Sequence, residues 1–423
     1  KRQVLTENSD IEQRLAHVAN AFLHHDRAIV RPADDPVVRV INGLPAPIRQ
    51  GRGLAPVELE LPFKLEEPVL AVGSHMKNTI ALAWDKRVVV SPHIGEMDSP
   101  RSLQTFEQCI DDLEALYQVK AEQIVCDAHP RYTPTRWAQQ RGLPVFEVYH
   151  HHAHASAVYA EALLNNRDLQ DMLVFTWDGV GLGPDGTLWG GEALTGKPGE
   201  WQRVASFRTF RLPGGERAGR EPWRSAAAIC WESGRDCPLN EASDPLLLSF
   251  WRQGRNSPLT SAAGRLFDAA SALCGVCSQA SFEGQGPMQL EALAAQHEES
   301  AGDFDNFPGV QIGLLETDGL FLADWEPLIP VLMDETIPLT ARATGFHFWM
   351  ADSLLQQAMQ LRKDTAVNHV GLAGGVFQNR VLTERCITLL NRNGFEVTLP
   401  RMVPVNDAGI SFGQIVDHAY KSR

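Results

Sequence analysis

The chain has 423 residues, is 44% hydrophobic and carries a formal net charge of −14 at pH 7. That length suits about two or three domains with sizeable cores, and the acidic balance lacks the basic footprint of a nucleic-acid binder. No run of about eighteen apolar residues reads as a transmembrane helix. The start at Lys1, with no signal-peptide pattern, reads as a piece excised from a longer protein.

Seven cysteines are scattered through the sequence, an odd set that fits cytosolic thiols better than a disulfide scaffold. Cys274-Gly-Val-Cys277 has no second pair and is expected to be packed thiols, not a zinc site. Apolar residues recur at helical spacing over 11–22. Two strand-like runs follow, 28–30 and 36–41, the second ending in the turn signal Asn42-Gly43. Pro47-Ile48-Arg49-Gln50-Gly51-Arg52-Gly53 sets two arginines among glycines, which suits an anion grip and a solvated linker equally. About fifty residues seldom fold alone, so 1–56 reads as the tail of a domain. Residues 57–68, acidic and punctuated by proline, read as a linker.

A new unit begins at 69–73, a strand ending in Ser74-His75-Met76-Lys77-Asn78. Strands at 79–84 and 87–91 complete a meander. It resembles the start of an actin-like or sugar-kinase-like lobe, whose first turn faces nucleotide phosphates. A helix over 103–117 with Ser99 or Ser102 as its cap, a strand at 123–126, a helix at 135–140 and a strand at 145–149 continue an α/β pattern. Asp127-Ala-His129-Pro130, just after a strand, suits a ligand contact or an ordinary turn. Tyr149-His150-His151-His152-Ala153-His154 then holds four of the fourteen histidines and opens an alanine-rich helix to about 164. Positions i and i+4 share a helix face, so His150 and His154 form a two-point metal clamp, with His151 and His152 directed elsewhere. The clamp lies where a strand hands over to a helix, a place where ligands gather in α/β sheets.

Residues 173–177 read as a buried strand ending in Asp178, with alternating glycines at 179, 181 and 183 before Asp185-Gly186. An acid followed by such glycines suits a tight phosphate-side hairpin. Asp178 is the natural hard ligand to join the histidine pair. Beyond about 212 helices dominate, at 223–231, 246–253, 269–273, 288–294 and 341–361. Turns are expected at Gly309 and Asp318-Gly319. A strand at 369–372 runs into Gly374-Gly375-Val376-Phe377-Gln378-Asn379 and a helix, a pattern able to cradle a phosphate or adenosine on helix-terminal N–H groups. Asp407, between a strand and the closing helix, is a second candidate carboxylate.

The following stand in one order over essentially the whole chain: His150-x-x-x-His154; the Asp178 hairpin with Trp189-Gly-Gly-Glu192; Thr260-Ser-Ala-Ala-Gly-Arg-Leu-Phe-Asp268; Phe282-Glu-Gly-Gln285; Gly374-Gly-Val-Phe-Gln-Asn379; and Asn406-Asp407. As a set they resemble the HypF family of carbamoyltransferases, which act in nickel–iron hydrogenase maturation. The resemblance implies a two-lobed α/β domain of the actin and sugar-kinase superfamily (ASKHA), related to TsaD. Its first lobe, 69–212, would carry a metal site, and its second, 213–423, a nucleotide-binding Gly-Gly turn. Residues 1–56 would be the C-terminal part of an α/β YrdC-like domain. The chain lacks the body of that domain and alone should not make carbamoyl adenylate.

By the same resemblance, carbamoyl phosphate and ATP, with Mg2+, give carbamoyl adenylate. Its carbamoyl group passes to the C-terminal cysteine thiol of the cytoplasmic acceptor HypE, for the cyanide ligands of the active-site iron. His150, His154, Asp178 and Asp407 would hold one iron or zinc ion, with His150, His154 and Asp178 serving the chemistry. Lys77, Gly181, Gly183, Glu283, Gln285, Gly374, Gly375 and Asn379 would line the nucleotide cleft. Neither nucleic acid nor membrane is an expected partner. Two departures stand out: Asp34-Asp35-Pro36 where the family commonly has Asp-Asp-Ser, and Ala408 where it has glycine. Three other readings compete: a carbamoyltransferase acting on a small-molecule hydroxyl, a tRNA-modifying TsaD relative, and an actin-like nucleotide-gated module that has no need of the histidine pair.

Overall fold

The Asn42-Gly43 signal forms the first hairpin, between β1 (Val37–Ile41) and β2 (Leu44–Arg49). Both turn residues take positive φ, +52° and +71°, as a two-residue turn between twisted strands requires. The computed structural model describes residues 5–301, 310 and 313–423, so the turn expected at Gly309 lies outside the described residues. Ahead of the hairpin the helix covers only Asn8–Leu15 and buries none of its residues. Without a packed face, little extends it, and 28–30 forms no strand. Arg49 and Arg52 are occupied by Asp34 and Asp35, at 3.4 and 2.6 Å, which answers the choice between anion grip and linker with an internal ion-pair knot.

Six strands make the first sheet: β3 (Val57–Glu60), β4 (Val69–Ala71), β5 (Ala81–Trp84), β6 (Arg87–Val90), β7 (Gln123–Asp127) and β8 (Val145–Val148), in the order β3-β6-β5-β4-β7-β8. Residues 57–60 are thus an edge strand antiparallel to β6, not linker. Leu59, Leu61, Phe63 and Leu65 alternate into the core, a period of two that the acids and prolines between them obscure. The meander β6-β5-β4 is antiparallel, and β4-β7-β8 is parallel.

The second sheet repeats this plan. Its strands are β9 (Met172–Leu182), β10 (Leu188–Gly196), β11 (Gln202–Phe207), β12 (Phe210–Arg211), β13 (Leu259–Thr260), β14 (Gly313–Thr317), β15 (Leu320–Asp324), β16 (His369–Ala373) and β17 (Glu396–Thr398). The main path runs β14-β15-β11-β10-β9-β16-β17. Again an antiparallel meander, β11-β10-β9, is followed by two parallel strands, β16 and β17. This twofold repetition is the two-lobed actin and sugar-kinase-like plan expected from the motifs. The change of sheet falls before Met172, not at 212. The composition shift near 212 marks the helices that decorate the second sheet.

Two helices lie between the sheets. His150–Asn165 follows β8 yet packs on β9 and β16, whereas the closing helix Ile410–Lys421 packs on β4 and β7. Each lobe is therefore covered by a helix that leaves the other. The two helices touch at Gly413, where an added Cβ would lie 1.8 Å from the Ala153 carbonyl oxygen. Among the described residues no helix is long and apolar enough to cross a membrane. Cys274 and Cys277 are buried free thiols.

Candidate metal centre at the junction of the lobes

Each ligand candidate is delivered by a different piece of this junction. His150 and His154 stand one turn apart at the start of their helix. Asp178 projects from β9, and Asp407 lies in the short turn that leads into the closing helix. One ligand atom from each lies within 4.8 Å of the others, and all four residues are at most 9% exposed. His150 Nε2 is 3.2 Å from Asp178 Oδ2 and 3.7 Å from Asp407 Oδ1. His154 Nε2 lies 3.4 Å from Asp178 Oδ2 and 3.7 Å from Asp407 Oδ1. It is buried and makes no well-aligned hydrogen bond to either.

The surroundings fix these groups. His150 Nδ1 faces Asp127 Oδ2 at 3.1 Å. The other oxygen of Asp127 accepts the His129 N–H at 2.8 Å. Asp178 Oδ1 accepts the Gly375 N–H at 3.2 Å, and the Ser74 hydroxyl reaches Asp407 Oδ2 at 3.3 Å. Burial disfavours charge on His150, His154 and Asp178, but their pairings override it. His150 is held well above the ordinary histidine range by Asp127 and Asp178 despite its desolvation. His154 is raised in the same way by Asp178 and Asp407. Asp178 is driven well below the usual carboxylate range, since the two imidazoles outweigh its burial. His151, fully buried with both ring nitrogens unpaired, is pushed well below its ordinary value by desolvation and by His150.

The residues expected to line a nucleotide cleft divide into two groups. Lys77 reaches across from the first lobe to Glu283 of the second at 2.8 Å. Burial works against its charge, but Glu283, with Asp407 and Asp178 behind it, more than offsets that. Gly374 and Gly375 border the cluster. An added Cβ on Gly374 would sit 2.2 Å from the Trp177 carbonyl oxygen, and one on Gly375 would sit 2.9 Å from Asp178 Oδ1.

The others make contacts within the fold. Gly181 is in β9 and not in a loop, since the strand runs on to Leu182 and turns only at 183–187. Its missing side chain admits His151 and His150, at 2.6 and 2.9 Å from where a Cβ would be. Gly183 gives the same room to Trp189. Gln285 Oε1 accepts the Ser281 N–H at 2.7 Å and secures the start of a helix. Asn379 caps the helix Arg380–Arg392 through Leu382 N–H at 3.0 Å and holds His347 Nε2 at 2.8 Å. Of the alternating glycines, Gly181 thus marks close packing against the histidine helix and Gly183 close packing against Trp189. Asp127 is the contributor least visible in the sequence. Its one signal is a carboxylate ending β7, the parallel neighbour of the strand that leads into the histidines.

Comparisons with known proteins bear on the fold and the family. Residues 174–414 match the family model of the carbamoyltransferase Kae1-like domain, second subdomain, and residues 64–161 match that of the HypF Kae1-like domain. The chain is also 33% identical over 364 residues to a carbamoyltransferase HypF homolog of Cupriavidus necator, covering 82% of this chain and 90% of that protein. The chain belongs to the carbamoyltransferase HypF family. It is similar to the carbamoyltransferase HypF of Synechocystis sp., 35% identical over 438 residues, across 98% of this chain and 55% of that one. The chain thus spans about half the length of the longer HypF relatives it matches. A crystal structure of full-length HypF in the phosphate- and nucleotide-bound form superposes with a TM-score of 0.88 at 30% identity. It covers 99% of this chain and 66% of that HypF chain.

Proposed function

We propose that this chain is the carbamoyl-transferring part of an ATP-dependent carbamoyltransferase, and that its four-residue cluster holds one iron or zinc ion. The observation that carries the metal reading is the convergence of two imidazoles and two carboxylates within 4.8 Å, buried where the lobes meet. His154 Nε2 is buried between Asp178 Oδ2 and Asp407 Oδ1, at 3.4 and 3.7 Å, without a well-aligned hydrogen bond to either, an arrangement that suits a shared cation. A nitrogen and oxygen donor set of this kind suits either metal. Such an ion would polarise the carbamoyl carbonyl or anchor phosphate oxygens.

The chain's own residues do the rest. Asp127 orients His150, the Gly375 N–H orients Asp178, and Ser74 steadies Asp407. Lys77 offers a cation beside these carboxylates to the anionic half of the substrate. The substrate is carbamoyl adenylate, made from carbamoyl phosphate and ATP with Mg2+. The nucleotide-bound state of the HypF structure supports a nucleotide in this family. The acceptor is the C-terminal cysteine of HypE, in the cytoplasm. Its thiolate attacks the carbamoyl carbon, the bond to the phosphate oxygen breaks, and AMP leaves. The thiocarboxamide is the precursor of the cyanide ligands of the hydrogenase iron. On this reading residues 1–56 end a YrdC-like domain that supplies the adenylate.

The test is the intact mass of HypE after incubation with the full-length parent protein, ATP and carbamoyl phosphate, beside a His150→Ala, His154→Ala variant. A gain of one carboxamide on the C-terminal cysteine, absent with the variant, is the expected result. No gain with active wild-type protein would turn the reading to hydroxyl-bearing small molecules. A gain that survives the double variant would leave the histidines a structural role.

A further inference from the structure

The two carboxylates of the cluster come from distant parts of the chain, and neither segment alone fixes their separation. Asp178 is held by the N–H of Gly375, in the Gly-Gly turn. Asp407 follows Asn406, whose Oδ1 accepts the Ala408 N–H at 3.0 Å and closes the turn. One side chain spans these two turns. Gln378 Nε2 donates to the Gly375 carbonyl at 2.8 Å, and Gln378 Oε1 accepts from Asn406 Nδ2 at 2.9 Å. The amide thus ties the residue that orients one carboxylate to the residue next to the other. The backbone bond from Gly374 N–H to Val405 O, 2.9 Å, is the second tie between these segments.

The first hairpin holds the clamp from behind. Asn406 Nδ2 also donates to the Ile48 carbonyl at 2.9 Å. Arg39 donates to the Gln378 carbonyl at 3.0 Å while its guanidinium pairs with buried Glu291 at 2.6 Å. Both ends of the amide therefore have defined partners, and its backbone is pinned by another unit of the fold.

We propose that Gln378 is a positioning residue that sets the spacing of Asp178 and Asp407, and so the affinity and geometry of the metal centre. This rests on the cluster's being a metal centre. Cobalt(II) is the probe, because its visible bands report ligand geometry and need no turnover. The metal-free full-length protein is titrated with Co2+, beside Gln378→Met and Gln378→Asn. Methionine keeps the length without polar ends, and asparagine keeps the amide but is one methylene short of both partners.

Both variants are expected to keep the wild-type melting temperature, to bind Co2+ about tenfold more weakly, as loss of an outer-shell partner does, and to shift the cobalt bands. A folded variant with unchanged cobalt affinity and spectrum would overturn the proposal. A loss of affinity matched by a loss of melting temperature in both would overturn it too, by making the effect one of folding. A wild-type protein that takes up no cobalt would overturn the metal-centre reading itself, and this outcome shows before any variant is compared.

Discussion

A carboxylate can only accept hydrogen bonds, so Asp127 holds a proton on His150 Nδ1 and leaves Nε2, which faces Asp178 and Asp407, as the nitrogen that can give up its proton to a metal. Asp127→Asn keeps the shape but offers an amide N–H, which favours the other tautomer and puts a proton where the metal should bind. Zinc affinity, measured by competition with a chromophoric chelator, is expected to fall about 10- to 100-fold with the melting temperature unchanged. The same cluster predicts a pH dependence. Asp127, Asp178 and Asp407 raise His150 and His154 in spite of their burial, so these rings hold protons more tightly than ordinary histidines do and a metal must compete with those protons. Binding therefore releases protons, and affinity rises with pH and falls with acid. Calorimetry in buffers of differing ionisation heat should show that release, and affinity independent of pH would contradict it.

Among the elements, the histidine helix was plain in the sequence because four imidazoles on an alanine-rich run leave few other readings. The strand β9 was plain only to Trp177. Gly179, Gly181 and Gly183 read as a loop because glycine is common in turns, whereas here Gly181 lets β9 run beneath the imidazoles and Gly183, just past the strand, makes room for Trp189. Local pattern reports backbone freedom but not which neighbour needs the room. The crossing of the two central helices makes the point sharply. A methyl group at Gly413 would meet the Ala153 carbonyl at 1.8 Å, so Gly413→Ala must move one helix against the other. The expected cost is about 1–3 kcal/mol, read from urea unfolding; a change within error would mean the crossing adjusts freely.

At the scale of the whole molecule, the lobes also meet across the cleft through side chains, Lys77 with Glu283 and Arg131 with Glu216 at 2.8 and 3.5 Å. The Glu283 side chain is 52% exposed, so the pair contributes little to stability. Its carboxylate nonetheless occupies the lysine an anionic substrate would meet. Glu283→Gln is expected to tighten binding of inorganic phosphate to the full-length protein, measured by calorimetry, while leaving the melting temperature unchanged. Weaker binding would show that Glu283 assists the anion. The two-lobed plan was legible from the motif order, but the boundary between lobes was not. It depends on which sheet a strand joins, and β9 to β11 look alike in either.

The exchange of covering helices has a consequence for how the protein is made. The first sheet is complete in sequence once β8 has been synthesised, yet the helix that covers one of its faces is the last element of the described fold. The face that carries Val69, Ala71 and Val125 therefore lacks the cover of Ile410, Ile415 and Val416 until the second lobe has been translated. A chaperone that binds short apolar strands would find its target in that interval, and the same late segment brings in Asp407. On the metal reading proposed above, the four ligands come together only after Asp407 has been made.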